Sequence, residues 1–94
     1  MPKFEEDICH YTGAKHAIAC NSGTSALHLA CRAIDLGPKD WLWTSSITFA
    51  SSANCGLLCG AKVDFVDIDS DDWNLSINKL KERLIIAEKQ NKVP

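Results

Sequence analysis

The sequence predicts an α/β fold in which a parallel-strand sheet is flanked by helices and is incomplete. Short apolar or alternating segments, typical of strands, follow one another with helix-type segments between them, in the order helix, strand, helix, strand, helix, strand, helix. Strands joined through helices are connected by right-handed crossovers, and they therefore lie parallel with helices on the faces of the sheet. The sequence stops where a further strand is expected, so a three-stranded sheet would keep exposed edges.

The first two predicted elements are a helix and a buried strand. Apolar residues recur at helical spacing over residues 4–11, and Gly13 ends that helix. Residues 15–20 form a short apolar run between turn residues, a pattern typical of a buried strand. We therefore expect the chain to enter the sheet directly after its first helix.

The next predicted elements are a helix, a strand and another helix. The helix covers residues 25–34 and stops at Gly37-Pro38, and the strand covers residues 41–44. Residues 45–48 form a polar turn that caps a helix beginning near Phe49 and running through Cys59. This part of the sequence therefore returns the chain to the sheet after each helix.

The last predicted elements are a strand over residues 62–67, a loop over residues 69–74, and a helix from Ser76 to about Glu88. The strand alternates apolar and polar residues, whereas the final helix carries an apolar stripe. Ser76 is the predicted N-cap of that helix, because a serine hydroxyl accepts a hydrogen bond from a backbone N–H in the first helical turn.

Composition and charge exclude several classes of protein. The chain has 94 residues, 46% hydrophobic and 23% charged, the values of one small globular domain at most. Its net charge of −2 and its interspersed charges leave no basic stripe for nucleic acid or anionic lipid. No run is long enough to span a membrane, and the N-terminus lacks the apolar core of a signal peptide, so the expected location is the cytoplasm. The five cysteines are expected to be reduced core residues.

An acidic cluster follows the last predicted strand, and its spacing resembles the start of a calcium-binding loop. The cluster consists of Asp67, Asp69, Asp71 and Asp72. Asp72 stands where such a loop needs glycine, and Asn78 stands where it needs glutamate. We therefore interpret the cluster as a solvated loop and expect no metal site.

The strongest functional candidate is the junction at residues 21–25, where a predicted strand meets a helix N-terminus. Backbone N–H groups there lack helical partners and lie at the positive end of the helix dipole, so a phosphate is a natural ligand. Gly23 permits close approach of the backbone, and the hydroxyls of Ser22, Thr24 and Ser25 add donors. Neither the dinucleotide-binding glycine motif nor the P-loop motif is present. From these residues alone, an ordinary capped helix and an anion site remain equally open.

A second candidate lies at residues 45–49, at another strand-to-helix junction. In a parallel sheet such junctions line the carboxyl edge of the strands, where ligands bind. Phe49 would then be an aromatic side chain at the rim of the site. The pattern alone favours the alternative, a phenylalanine buried in the core.

These motifs together resemble one enzyme family, the DegT/DnrJ/EryC1/StrS nucleotide-sugar aminotransferases. Motifs that occur in the same order in that family lie at residues 4–6, 11–17, 21–28, 48–49, 51–54, 60–62 and 65–69. The resemblance covers nearly the whole chain. Within the family, residues 43–49, 52–55, 63–69 and 87–94 most resemble the members that act in pseudaminic acid biosynthesis.

The resemblance implies that residues 1–94 are part of the large domain of a type I aminotransferase that uses pyridoxal 5′-phosphate, truncated at both ends. It implies a homodimer that moves an amino group from glutamate to a UDP-linked 4-keto-6-deoxy amino sugar. Gly23 and Thr24 match the family's ligands of the cofactor phosphate, and Phe49 matches the residue that stacks on the pyridine ring. Ser22 and Ser25 are further candidates for binding the cofactor.

The resemblance also implies what this chain lacks. In the family, a lysine binds the cofactor covalently and an aspartate pairs with the pyridine nitrogen, and both come downstream of the matched region. No lysine here lies in the matching motif, so we assign no catalytic residue and expect the isolated chain to have no transaminase activity. The alternatives are a non-catalytic anion-binding module and a nonfunctional truncated product.

Overall fold

The computed structural model describes residues 2–94 and has four helices and two strands in that range. The helices are α1 (Pro2–Thr12), α2 (Gly23–Ala33), α3 (Ser51–Leu58) and α4 (Ile77–Gln90), and the strands are β1 (Trp41–Ser45) and β2 (Lys62–Val66). The two strands pair in parallel, with Trp41 opposite Lys62 and Ser45 opposite Val66. The predicted α/β class and the predicted parallel pairing are therefore confirmed.

Helices α3 and α4 cover opposite faces of the sheet, because side chains alternate between faces along a strand. Leu42 and Val63 lie under α3, where a Cβ atom added to Gly56 would be 3.1 Å from Leu42 Cβ and 3.0 Å from Val63 Cγ2. On the other face, the guanidinium of Arg83 in α4 lies 5.3 Å from the ring centroid of Trp43. Helix α2 packs against α3, so the layers are α2, α3, sheet and α4.

Three cysteines form a buried cluster between α2 and α3. Cys31, Cys55 and Cys59 are only 8%, 3% and 8% exposed, and all three are free thiols. Burial, helped by the neighbouring thiols, raises the pKa of Cys31 to about 11. Because the thiolate is the reactive form, Cys31 is a neutral core side chain at pH 7. The expected core role is thus confirmed for this cluster, whereas Cys20 is exposed.

The predicted strand over residues 15–20 does not form. The segment is irregular, and the side chain of Ile18 is 81% exposed. A strand needs a neighbour to pair with its backbone groups, and none lies beside this segment among residues 2–94. The N–H of Ala19 instead donates to Glu5 Oε2 at 2.8 Å. The strand prediction was wrong because apolar patterning reports burial tendency and not the presence of a partner.

The first and last helices match their predictions closely. Gly13 ends α1 with a φ of +79°, and its N–H donates to the Cys9 carbonyl at 2.9 Å. At the start of α4, the Ser76 hydroxyl accepts the Lys79 N–H at 3.3 Å, which confirms the predicted N-cap. None of the helices in residues 2–94 combines the length and apolarity needed to cross a bilayer.

Two helix starts differ from the prediction. Helix α2 begins at Gly23, two residues before the predicted Ser25, whereas its end lies within one residue of the predicted Ile34. Helix α3 begins at Ser51, two residues after Phe49, and its N-cap Ala50 has no side chain that caps the helix. The polar turn before α3 therefore does not supply the predicted cap, since Ser46 donates to Asp67 and Thr48 pairs with Ser52.

Candidate functional site

The first turn of α2 is shaped by a network of side-chain hydrogen bonds. Ser22 is the N-cap in an extended conformation, and its Oγ accepts the Ser25 N–H at 3.1 Å. The Ser22 hydroxyl donates to Ser25 Oγ at 3.0 Å, and the Ser25 hydroxyl donates to Asn21 Oδ1 at 2.7 Å. Both serine protons are therefore used within the turn, where they fix the direction of the helix start.

Two backbone donors remain at this helix start. The N–H groups of Gly23 and Thr24 donate to no acceptor among residues 2–94. A Cβ atom added to Gly23 would meet nothing within 4 Å, so the space beside the Gly23 Cα is open. Two unpaired N–H groups at the positive end of a helix dipole form a donor set that suits a phosphate oxygen.

The loop before α3 supplies the other wall of the site. Phe49 is 77% exposed, so the alternative of a core phenylalanine does not hold in the part of the chain that the structure describes. Thr24 Oγ1 and Ser51 Oγ are 2.7 Å apart, a hydrogen bond that joins the starts of α2 and α3. Between these two helix starts lies a cavity of about 460 Å³, lined by Gly23, Thr24, Ala26, Leu27, Phe49, Ser51 and Ser52.

The structure divides the sequence-predicted site residues into two groups. Gly23, Thr24 and Phe49 line one cavity, although Phe49 is 25 positions after Thr24 in the chain. Ser22 and Ser25 do not line that cavity and belong to the hydrogen-bond network of the N-cap. Sequence reasoning did not identify Ser51 as a site residue. Its place in the first turn of a helix that follows a strand was the signal available.

The acidic cluster lies in a separate loop and is held by its own backbone. Asp69 Oδ1 accepts the Asp71 N–H at 2.8 Å, and Asp67 Oδ2 accepts Lys79 Nζ at 3.2 Å. The pKa of Asp67 is lowered below its ordinary value, mainly by the hydrogen bond from the Ile68 N–H and to a smaller extent by Lys79. Across residues 2–94, no three His, Cys, Asp or Glu side chains are grouped so that they could hold a metal ion.

The comparison with protein families identifies the class of protein to which this chain belongs. The model described as the DegT/DnrJ/EryC1/StrS aminotransferase family matches residues 1–91. The chain belongs to the DegT/DnrJ/EryC1/StrS aminotransferase family. The resemblance predicted from the sequence motifs is therefore confirmed over nearly the whole chain.

A curated relative supports the same assignment. The chain is 49% identical over 85 residues to the UDP-4-amino-4,6-dideoxy-N-acetyl-β-L-altrosamine transaminase of Campylobacter jejuni. The match covers 90% of this chain but 22% of that protein. The chain therefore spans less than a quarter of the length of this family member.

Solved structures show the same fold in other family members. An aminotransferase of the family from Brucella abortus superposes with a TM-score of 0.87 at 33% identity, over 98% of this chain and 25% of that one. The protein named putative sugar aminotransferase Spr1654, from Streptococcus pneumoniae and solved in a PLP form, gives a TM-score of 0.82 at 28% identity, over 85% of this chain and 20% of that one. The expected fold of a PLP-dependent aminotransferase is thus confirmed.

Proposed function

We propose that this chain forms the phosphate-binding part of the pyridoxal 5′-phosphate site of a nucleotide-sugar aminotransferase. The observation that carries the proposal is the pair of unengaged N–H groups of Gly23 and Thr24, two residues that line the same cavity as Phe49. Pyridoxal phosphate is the cofactor that the family relationship and the PLP form of Spr1654 indicate. The donor set at α2 fits the phosphate of that cofactor.

Each site residue has a distinct task in this proposal. The N–H groups of Gly23 and Thr24, with the Thr24 hydroxyl, bind phosphate oxygens at the start of α2. Phe49 packs its exposed ring against the pyridine ring and keeps water from that face. Ser22 and Ser25 hold the turn in shape through the hydrogen bonds of the N-cap. When bound, the cofactor supplies an electron sink for transfer of the amino group.

The proposed reaction moves an amino group from glutamate to a UDP-linked 4-keto-6-deoxy amino sugar, as a step of pseudaminic acid biosynthesis. The support is the 49% identity to the Campylobacter jejuni transaminase, whose name specifies a UDP-linked amino sugar. A homodimer in the cytoplasm is part of the proposal. None of the lysines in residues 1–94 is given a covalent role, so residues outside this chain would complete the catalytic site.

The N–H groups of Gly23 and Thr24 and the Thr24 hydroxyl together form the proposed phosphate cradle. Calorimetric titration of the chain with pyridoxine 5′-phosphate tests it. This probe has the ring and the phosphate but no aldehyde that would react with surface lysines. We expect saturable binding that is at least about tenfold tighter than binding of pyridoxine, because the phosphate supplies most of the polar contacts. Equal affinity for the two probes, or no saturable heat, would overturn the proposal.

Two variants sharpen this test. Gly23→Asp places a carboxylate in front of the unengaged N–H groups, and we expect it to abolish the preference for the phosphate. Ser70→Asp adds the same charge in the acidic loop and is the matched control. Binding of inorganic phosphate as tight as that of pyridoxine phosphate would favour the alternative, a non-catalytic anion-binding module.

A further inference from the structure

We infer that Ser51 is a positioning residue that orients the Thr24 hydroxyl toward the phosphate and ties the phosphate cradle to the segment that carries Phe49. The inference rests on the proposed function and deepens it. It assigns a role to a residue whose own hydroxyl need not touch the cofactor.

The hydrogen bond between Thr24 and Ser51 joins two side chains that are far apart in the sequence. Its two oxygen atoms are 2.7 Å apart and belong to residues 27 positions apart in the chain. Ser51 is only 6% exposed, although Phe49, which lines the same cavity, is 77% exposed. This hydrogen bond joins the first turns of α2 and α3. The start of α2 is therefore held to α3 by this contact together with the thiol cluster deeper in the interface.

The chemistry of the two hydroxyls sets the direction of the bond when a phosphate is present. Each hydroxyl has one proton to donate and two lone pairs that accept. A phosphate dianion only accepts, so the Thr24 proton must point to the phosphate. Ser51 must then donate to Thr24 Oγ1, and the structure gives the Ser51 hydroxyl no other acceptor among residues 2–94. Such a chain of donors strengthens each bond in it.

Ser51 can orient the Thr24 hydroxyl because α3 holds Ser51 in place. Ser51 begins α3, a helix that lies close against the sheet at Gly56 and buries Cys55. Phe49 precedes Ser51 by two residues, so the same anchor fixes the end of the Phe49 segment. The bond therefore joins the two walls of the cavity, with the phosphate donors on one wall and the aromatic ring on the other.

The test compares Ser51→Ala with Ser76→Ala by calorimetric titration with pyridoxine 5′-phosphate and with pyridoxine. Ser76 is also a buried serine at a helix start, 7% exposed, but its hydroxyl accepts the Lys79 N–H of α4 and it does not line the cavity. We expect Ser51→Ala to reduce the preference for the phosphate about fivefold, the size of one lost hydrogen bond. We expect Ser76→Ala to change that preference less than twofold.

A second pair of variants tests the same hydrogen bond from the side of Thr24, so that the result does not depend only on substituting the buried Ser51. Thr24 lies at the exposed start of α2, so Thr24→Val removes the hydroxyl without disturbing the core, and Thr24→Ser retains it. We expect Thr24→Val to reduce the phosphate preference and Thr24→Ser to retain it. Because Ser51 acts through Thr24, adding Ser51→Ala to Thr24→Val should cause no further loss, whereas a general packing role would add its own loss.

The outcomes separate the inference from the proposed function. A wild-type chain without any preference for the phosphate would overturn both. A preference that is present in the wild type and unchanged in Ser51→Ala, or that falls equally in Ser51→Ala and Ser76→Ala, would overturn the role of Ser51 alone. Additive losses in the double variant would also overturn it.

Discussion

Residues 41–90 and residues 2–20 both carry sequence patterns typical of helices and strands, but the two regions differ in packing. The first region forms β1, α3, β2 and α4, with helices on both faces of the sheet and with Val66 completely buried. In the second region, α1 buries no residue and packs against none of the other helices and strands in residues 2–94. The radius of gyration is accordingly 15.8 Å, compared with about 12 Å for a compact domain of this length.

The difference shows which structural signals depend on distant residues. A helix satisfies its own backbone, so α1 forms over residues 2–12 although its apolar side chains remain exposed. A strand satisfies half of its backbone through a neighbour. Strands β1 and β2 find each other across one short helix, whereas residues 15–20 have no such partner among residues 2–94. We therefore expect substitutions in the two regions to have very different effects.

The largest expected effect is that of Gly56→Leu, which should disrupt the packed region. A side chain at residue 56 would meet Leu42 and Val63 at 3.0–3.2 Å, so α3 would be pushed away from the sheet. We expect the free energy of unfolding to fall by about 3 kcal/mol. Urea unfolding followed by tryptophan fluorescence measures this change, since Trp41 and Trp43 lie in β1.

The matched control is Gly23→Leu, because an added Cβ atom at residue 23 meets nothing within 4 Å. A loss of the same size in both variants would contradict the close packing of α3. It would also remove the contrast between a glycine inside the packed region and one outside it.

A smaller effect is expected for Asp64→Asn, which removes the ion pair between β2 and α4. Asp64 is hydrogen-bonded to Arg83, and the two side chains are 41% and 38% exposed. Burial would raise the pKa of Asp64, but the Phe65 N–H and Arg83 together lower it below its ordinary value. Solvent screens this half-exposed pair, so we expect a loss of about 0.5 kcal/mol at pH 7.

The contribution of Asp64 to the free energy of unfolding depends on pH, and the direction of its pKa shift sets the sign of that dependence. Because the pKa of Asp64 is lower in the folded chain, its stabilisation is present above the unfolded pKa of about 4 and is lost as the pH falls through the folded pKa. The stability difference between wild type and Asp64→Asn, measured by urea unfolding, should therefore disappear in strong acid. Asp7→Asn, in the exposed α1, is the control and should show no such difference.

The smallest effect is expected for Ile8→Ala in α1. Ile8 is 37% exposed and lies on a helix without buried residues, so the change in unfolding free energy should stay within about 0.5 kcal/mol. Val66→Ala, at a fully buried position of β2, should cost about 2 kcal/mol in the same urea experiment. Equal losses would show that α1 is packed more firmly than its exposure indicates.

The fold was predictable where the signals were local. Ser76 caps α4 and Gly13 ends α1, because a serine hydroxyl and a glycine act on the backbone beside them. The end of α2 was predicted to within one residue, although the residue that takes the left-handed conformation after the helix is Asp35 and not a glycine. The strand over residues 15–20 was predicted wrongly because its pattern contained no information about a partner.

The candidate site was predictable in part for the same reason. A capped helix start at residues 21–25 was one of the two alternatives that the sequence left open, and the resemblance to the family pointed to Gly23, Thr24 and Phe49. The sequence did not identify Ser22 as the N-cap, because it predicted that the helix begins at Ser25. The bond from Thr24 to Ser51 was not predictable, since it depends on how α2 and α3 pack. The structure thus places the helix start and the aromatic residue around one cavity, which no spacing in the sequence defined.

Because some cysteines are exposed and others buried, thiol labelling can measure how the chain opens. An alkylating reagent reaches Cys20 without any movement, whereas Cys31, Cys55 and Cys59 become accessible only when α2 separates from α3 or the chain unfolds. The raised pKa of Cys31 slows its labelling further. The order in which the thiols are labelled therefore records the order of local opening, and the interface next to the phosphate cradle has its own reporters.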